Sequence, residues 1–293
     1  MPRTVTVGLD GSPESLAAAD WAAREAQRRE LPLSLVHALD WHSFSYGPLT
    51  GVESLTRWAK RLPSDAAARL RCDHPGLRII HEQLAGEPVA SLLAAAENAE
   101  LLVLGSQGAG RVTGILVGSV ALSIVARAEL PVVLVPTGGR GDRRTGPATT
   151  ASAARARREV VLGLDLRRPA AQMLGFAFDA AARRAAALRV VHGWSPPPAS
   201  GYPSPSGTGA SAQVASELAD VLRPWRTKFP GVSVSEQAVA GSPAEHLVDA
   251  SAHAALMVVG RFTHGPRPGP RVGPVTHSVL HHSSAPVTVI AHT

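Results

Sequence analysis

The chain has 293 residues, of which 45% are apolar and 18% charged, and these values predict a globular protein of two compact domains rather than one small core. No stretch approaches the ~18 uninterrupted apolar residues that a membrane-spanning helix requires. The single cysteine, Cys72, excludes an intrachain disulfide and any metal site built from several cysteines.

The formal net charge of +6 and an isoelectric point near 10.5 raise the question of nucleic-acid binding. Six arginines and one acid lie between Gly138 and Arg158, so this segment carries +5 and the rest of the chain +1. Its Gly, Thr, Ala and Pro content is typical of a linker and not of a folded basic surface. We therefore expect no specific binding to nucleic acid.

Short β-branched or Leu-rich runs alternate with Ala-rich segments at helical spacing, a pattern typical of a parallel sheet covered by helices. The first run, Val5–Val7, is reached without an apolar leader, which predicts a cytosolic protein. Ser12 and Pro13 predict a helix start, because serine is a good N-cap and proline needs no N–H at the first helical position. In the first half we predict strands near 4–9, 33–38, 77–82, 101–104 and 132–135, and helices near 13–29, 53–72, 88–98 and 119–128.

The sequence repeats itself with a period of 155 residues. Four pairs of segments keep this offset: Val7–Asp10 with Leu162–Asp165, Val36–His37 with Val191–His192, Gly86–Pro88 with Gly241–Pro243, and Pro131–Val133 with Pro286–Thr288. The repeat predicts two modules, residues 1–137 and 159–293, joined by a linker over 138–158. We therefore predict an α/β protein of two tandem doubly wound domains, each with a five-stranded parallel sheet flanked by helices, in which ligands bind at the carboxyl ends of the strands.

The segment after the fourth predicted strand carries the most informative motif. It reads Leu104-Gly105-Ser106-Gln107-Gly108, and nine residues later Gly118-Ser119 opens the last helix of the module. Glycines let the backbone turn and approach a ligand, and the N–H groups at a helix start favour an anion such as a triphosphate. Ser119 has two interpretations, as a donor to a phosphate oxygen or as a helix cap.

Two other nucleotide motifs are excluded. Gly108-Ala109-Gly110 follows the fourth strand rather than the first and lacks the G-x-G-x-x-G count. No G-x-x-x-x-G-K-(S/T) is present, so the lysine of a Walker-type hydrolase is missing. Taken alone, the glycines are equally compatible with a flexible connection, and Asp10 beside Gly11 with an ordinary turn.

In spacing and position, Gly105, Gly108, Gly118 and Ser119 resemble the G-x2-G-x9-G-(S/T) motif of the ATP-binding members of the universal stress protein family. The resemblance covers both modules nearly end to end, from the opening Val-Gly-x-Asp to the closing Pro-Val-x-x-Val. It implies a tandem member of that family with the strand order 3-2-1-4-5, which places Asp10 and Gly105 on adjacent central strands.

The resemblance also implies a bound ATP, alone or with Mg²⁺. Asp10 would contact the ribose, with Gly8 and Leu9 beside it, and Ala38 would touch the adenine. The rest of the implied site is Leu104, Gly105, Ser106, Gln107, Gly108, Gly118, Ser119 and Val120. We further expect self-association, through pairing of the two domains or a homodimer, and an unidentified protein partner.

The second module departs from the motif at two positions. It reads Gly260-Arg261-Phe262-Thr263, and nine residues later Gly273-Pro274. Thr263 disfavours a positive φ, and Pro274 removes an N–H donor that would face phosphate. We therefore expect weak or absent ATP binding in this module.

The leading functional hypothesis is a non-enzymatic stress-response or signalling module that binds ATP chiefly in its N-terminal domain. The alternatives are a slow ATP hydrolase or nucleotidyl-transferring enzyme, and a purely structural dimer. No catalytic residue is assigned. His277 and His281 have a spacing that can bind zinc, but without a third ligand nearby we expect no metal site. His37 and His192 match across the repeat, which favours a structural role at a strand end.

Overall fold

A computed structural model of the protein describes residues 3–39, 52–107, 117–136, 159–194, 207–263 and 272–293. The chain separates into two compact units, Met1–Gly138 and Gly139–Thr293. The predicted linker over 138–158 and the motif residue Gly108 lie outside the described residues.

The first unit is a parallel five-stranded sheet with the strand order β3-β2-β1-β4-β5. This confirms the predicted order 3-2-1-4-5. Helix α1 packs against α2, and α3 packs against α4. The elements are β1 (Thr4–Gly8), α1 (Pro13–Arg29), β2 (Leu33–Leu39), α2 (Val52–Asp73), β3 (Ile79–Ala85), α3 (Pro88–Ala95), β4 (Ala99–Gly105), α4 (Ser119–Arg127) and β5 (Val132–Val135).

The second unit repeats this topology, with its strands in the order β8-β7-β6-β9-β10. Even an irregularity of register recurs, since the first strand of each unit shifts against its fourth strand, at Thr4/Val5 and at Glu159/Val160. The elements are β6 (Glu159–Gly163), α5 (Ala171–Arg183), β7 (Ala187–Trp194), α6 (Gly207–Lys228), β8 (Val234–Ala240), α7 (Pro243–Ser251), β9 (Ala254–Phe262), α8 (Pro274–His282) and β10 (Val287–His292).

The central strands are buried along almost their whole length. In β1, Val5 and Val7 are fully buried, and in β4 the run Leu101–Leu104 is buried on both faces of the sheet. A parallel strand covered by helices on both sides needs such a continuous apolar run. The carboxyl ends of β1 and β4 therefore emerge side by side from a rigid core. Among the described residues, no helix combines the length and apolarity needed to cross a bilayer.

Helix α1 begins as the sequence predicts. Ser12 is its N-cap and accepts a hydrogen bond from the Ser15 N–H, and Pro13 occupies the first helical position. At the other end, Glu30 adopts a left-handed conformation (φ 57°), and its N–H donates to Ala26 and Gln27 carbonyls. Both caps fix the position of α1 and of the loop that precedes it.

Several predicted boundaries differ from the structure by up to three residues, and two of these differences are explained by hydrogen bonds. Strand β3 begins at Ile79 rather than near residue 77, because the Leu77 N–H still donates to His74 in the turn after α2. Helix α3 ends at Ala95 rather than near residue 98, since Glu97 already closes a short turn onto Ala94. Neither shift moves a predicted site residue.

Candidate functional site

The start of α4 is tied directly to the end of β4. The Gly118 N–H donates to the Ser106 carbonyl oxygen over 2.8 Å, and the Ser106 N–H donates to Val135 of β5 over 2.9 Å. Two parts of the predicted motif, Ser106 and Gly118, thus meet at the carboxyl edge of the sheet although they are twelve positions apart in sequence. Gln107 follows Ser106 at this edge and is half-buried.

The first turn of α4 has no side-chain cap. Gly118 is the N-cap residue and Ser119 is the first helical residue, so the interpretation of Ser119 as the N-cap is wrong. The first N–H groups of a helix have no acceptor within the helix, and the helix dipole adds positive potential there. Ser119 and Val120 are exposed beside these groups, so this end of α4 suits an anionic group.

The loop after β1 is held in one shape by the Asp10 carboxylate. Its Oδ1 atom accepts hydrogen bonds from the Ser12 N–H at 2.9 Å and from the Ser12 hydroxyl at 2.5 Å. The Asp10 N–H in turn lies 3.3 Å from the Ser15 hydroxyl oxygen. Ser12 therefore orients the carboxylate at the end of β1, and Ser15 holds the Asp10 backbone and the Ser12 hydroxyl; the sequence motif includes neither serine.

Both backbone polar groups of Leu9 have hydrogen-bond partners within the first unit. Its N–H donates to Val36 over 2.8 Å, and its carbonyl accepts from Nδ1 of His37 over 2.7 Å. His192 makes the matching bond to Leu164 in the second unit at 2.9 Å. Both histidines thus make the same hydrogen bond at a strand end, as the predicted structural role requires.

The glycines at the strand ends are required by internal packing. A Cβ on Gly8 would lie 2.7 Å from Leu104, and one on Gly105 would lie 2.9 Å from the Glu14 carbonyl carbon. The motif alone predicts a different reason for Gly105, the close approach of a ligand. In the structure the missing side chain lets β4 pass against the first turn of α1, which brings the Asp10 loop close to the β4–α4 junction.

The described site residues occupy three neighbouring strand ends. Ala38 lies on β2, the Asp10 loop follows β1, and Gly105–Gln107 close β4, in the spatial order β2-β1-β4. The fold therefore brings together every predicted site residue except Gly108, which lies outside the described residues. A shallow cavity beside Arg3, Glu100 and Pro131 is at the opposite edge of the sheet and contains none of them.

The corresponding edge of the second unit is occupied by aromatic and cationic side chains. Phe262 stands where the first unit has Gln107, the Arg168 guanidinium lies 4.1 Å from the centre of its ring, and His292 contacts it edge-on at 5.3 Å. Burial, reinforced by the positive charges of Arg168 and Arg261, lowers the pKa of His292, although Asp165 acts in the opposite direction.

The β9–α8 junction of the second unit is also closed differently. The Thr276 hydroxyl donates to the Gly260 carbonyl oxygen over 2.6 Å, and Pro274 is the first helical residue. Thr263 bonds back to the His292 carbonyl through both its N–H and its hydroxyl. This junction thus lacks the N–H that Ser119 offers in the first unit.

Helix α8 carries the histidines considered as metal ligands. The rings of His277 and His281 are tilted by 32° with their centroids 4.3 Å apart, and Nδ1 of His282 donates to the Ser278 carbonyl oxygen over 2.9 Å. Partial burial, with His277 and His282 as neighbours, lowers the pKa of His281. No cluster of three metal-binding side chains occurs within the described part of the chain.

Comparisons with known proteins agree with this architecture. The sequence model of the universal stress protein family matches residues 1–136 and 156–291. A universal stress protein of Mycobacterium tuberculosis is 32% identical over 294 residues, covering 97% of this chain and 96% of the relative. A second one from that species is 30% identical over 295 residues, with 97% and 95% covered. The crystal structure of a universal stress protein from Archaeoglobus fulgidus has a TM-score of 0.68 at 16% identity and covers 98% of this chain and 96% of that one.

The fold and the repeat define a tandem α/β protein with two doubly wound domains. With the matches over both halves, the chain belongs to the universal stress protein family.

Proposed function

We propose that the first unit binds ATP at the carboxyl edge of its sheet. The observation that carries the proposal is the bond from the Gly118 N–H to Ser106, which sets an uncapped helix start beside the end of β4. Phosphates at this helix start would meet its N–H groups and the Ser119 hydroxyl. The sequence motif supports the same assignment, because its spacing is that of the ATP-binding members of the family.

The nucleoside would extend from the phosphates across β1 towards β2. Asp10, oriented by Ser12, would accept hydrogen bonds from the ribose hydroxyls. Ala38 would contact the adenine, and Gly8, Leu9 and Leu104 would form the apolar wall beneath. Gly105, Ser106, Gln107 and Gly108 would flank the phosphates opposite Gly118 and Val120.

We propose that the second unit binds ATP weakly or not at all. Phe262, stacked against Arg168, fills the edge where the first unit has Gln107. Pro274 replaces Ser119 and offers no N–H to a phosphate oxygen. A nucleotide would therefore have to displace a packed aromatic side chain and would gain fewer hydrogen bonds.

The proposed role is a non-enzymatic module of the cytosol in which bound ATP favours one conformation or interface that a protein partner recognises. At a concentration about 100 times its dissociation constant, ATP stabilises the folded state by roughly 2.7 kcal/mol. The proposal includes self-association, through the two domains or a homodimer. Sedimentation velocity with and without ATP measures the self-association.

The direct test is calorimetric titration of the full chain with ATP, with and without Mg²⁺. We expect binding near one ATP per chain, and no binding of ATP would overturn the proposal. A stoichiometry near two would overturn the preference for the first unit. Radiolabelled ATP then separates the two roles: retained ATP supports the non-enzymatic module, whereas ADP or AMP above a protein-free control supports a slow enzyme.

A further inference from the structure

A large aromatic side chain stands at the edge of the candidate site without belonging to any motif. Trp58 lies on α2, and 44% of the residue's surface is exposed, whereas Trp21 in the same unit is buried. An indole in water is an unfavourable arrangement unless something covers it, because aromatic rings have a large apolar surface. The surroundings of Trp58 indicate what covers it.

The indole lies directly over the loop that carries Asp10. Gly11 follows Asp10 with φ +81°, and a Cβ on Gly11 would lie only 2.5 Å from Cζ2 of Trp58. Glycine is therefore needed at this position both for the left-handed backbone and for the space that the indole occupies. The close contact fixes Trp58 beside the residue proposed to contact the ribose.

His37 supports the indole from the side of β2. Its ring meets Trp58 edge-on, with centroids 5.7 Å apart and planes at 81°. Nδ1 of His37 is engaged with the Leu9 carbonyl, so the ring is held in place, while the buried Nε2 has no hydrogen-bond partner within the described part of the chain. Ala38, proposed to contact the adenine, is the next residue of the same strand.

The second unit lacks this arrangement. At the offset of 155 residues, Trp58 corresponds to Gln213 and Gly11 corresponds to Leu166. Gln213 donates instead to Glu217 within its own helix. His192 keeps the strand bond of His37, so the aromatic side chain is absent from the unit whose phosphate motif is degenerate, although the scaffold beneath it is retained.

We propose that the Trp58 indole forms an aromatic wall against the base of the bound nucleotide and selects purine over pyrimidine bases. The inference rests on the proposed ATP site of the first unit. Stacking on an aromatic side chain strengthens nucleotide binding by about tenfold for each base, and a purine offers a larger ring surface than a pyrimidine. Asp10 and the start of α4 would hold ribose and phosphates, so Trp58 would act on the base alone.

The test compares Trp58→Ala and Trp58→Phe with the wild type and with Trp225→Phe, a matched control in the second unit. Titrations with ATP, CTP and inorganic tripolyphosphate measure the base and phosphate contributions separately. We expect Trp58→Ala to weaken ATP binding about tenfold or more, to weaken CTP binding less, and to leave tripolyphosphate binding unchanged. Trp58→Phe should retain ATP affinity within about threefold, since phenylalanine still stacks.

Tryptophan fluorescence gives a second readout on the same proteins. ATP should quench the wild type and Trp225→Phe alike but should quench Trp58→Phe much less, while circular dichroism checks the fold of each variant. Equal ATP affinity in the wild type and Trp58→Ala would overturn the inference and leave the ATP site standing. An equal loss of ATP and tripolyphosphate binding in Trp58→Ala would also overturn it. A wild type that binds no ATP would overturn the proposed function itself.

Discussion

The backbone at Gly118 is in an ordinary extended conformation. Its torsion angles are φ −70° and ψ 152°, and Gly273 in the second unit has nearly the same values, −65° and 158°. These angles are extended backbone that any L-residue adopts, so the backbone conformation at Gly118 does not require glycine. A glycine at position 118 would instead serve to leave space for a phosphate group beside it.

Gly118→Val therefore separates ligand binding from folding. Valine suits these torsion angles, so the variant should fold normally, but its branched side chain should occupy the place proposed for phosphate. We expect ATP affinity to fall by about 5- to 150-fold, because overpacking of this kind costs about 1–3 kcal/mol. Isothermal titration calorimetry measures the loss.

The matched control is Gly273→Val. A Cβ at Gly273 meets no atom within 4 Å, so this variant should fold and should bind ATP like the wild type. Equal losses in the two variants would argue against the assignment of the nucleotide to the first unit.

Helix caps distinguish α3 from its counterpart α7. Both oxygens of the Glu87 carboxylate accept N–H groups of α3, from Val89 at 3.0 Å and from Ala90 at 2.8 Å. Ser242 holds the same position before α7 but makes no side-chain cap bond. Glutamate is usually a weaker N-cap than serine. Here Glu87 nevertheless accepts two hydrogen bonds from its helix, whereas the Ser242 side chain accepts none.

Glu87→Ala should lower the free energy of unfolding by about 1 kcal/mol, because two N–H groups of α3 lose their acceptors. Ser242→Ala should change it by much less. Urea unfolding followed by circular dichroism measures both variants. Destabilisation by Ser242→Ala equal to that by Glu87→Ala would show that the cap bonds of α3 contribute little.

His281 of α8 should make the stability of the protein depend on pH. Partial burial and the neighbouring His277 and His282 lower the pKa of His281 in the folded state, whereas its pKa in the unfolded chain is about 6.5. The unfolded state therefore binds the proton more readily, so the contribution of His281 is complete above about pH 6.5 and is lost as the pH falls towards its folded pKa.

His281→Gln should make the decline in stability between about pH 7 and pH 5 shallower. His253→Gln is the control, because His253 is an exposed residue between α7 and β9. Melting temperatures at half-unit pH steps provide the comparison. Parallel curves for the wild type and His281→Gln would contradict the prediction.

Most helices and strands of this fold are predictable from the sequence, because the hydrophobic periodicity and the residues that start or end helices indicate the same boundaries. Ser12 and Pro13 marked the start of α1, and the 155-residue repeat supplied a second copy of every strand to check the first. Contacts between elements were not predictable in this way. Gly105 and Glu14 are 91 positions apart in sequence, and Trp58 and Gly11 are 47 apart, so no local pattern in the sequence could predict these contacts. The repeat does show that Trp58 is replaced by Gln213 in the second half. This difference is the one sequence signal that could have identified Trp58 as a candidate site residue.

At the scale of the whole chain, the two units should respond differently to ATP. Hydrogen exchange should slow in peptides that cover Gly8–Ser15 and Val117–Leu122, since bound ligand stabilises the folded form of its own site. Peptides over Gly163–Ala170 and Gly273–His277 should exchange at the same rate with and without ATP. Mass spectrometry resolves these segments, and protection of both sets would count against binding by the first unit alone.

The division of the chain also predicts where trypsin cuts. The segment 138–158, proposed as a linker, contains six arginines in a Gly, Thr and Ala-rich sequence, a composition that favours proteolysis. Brief digestion should yield two fragments near half the size of the chain that persist. Earlier cleavage within Thr4–Val135 or Glu159–His292 would contradict the proposed boundaries.

In each unit a hydrogen bond joins the fourth strand to the last helix, and the two bonds differ in how easily a mutation removes them. In the first unit the bond joins two main-chain groups, the Gly118 N–H and the Ser106 carbonyl, and nearly any codon at either position preserves both groups. In the second unit the bond depends on the Thr276 hydroxyl, which one nucleotide change in a threonine codon can remove. Random mutagenesis should therefore open the second junction far more often than the first.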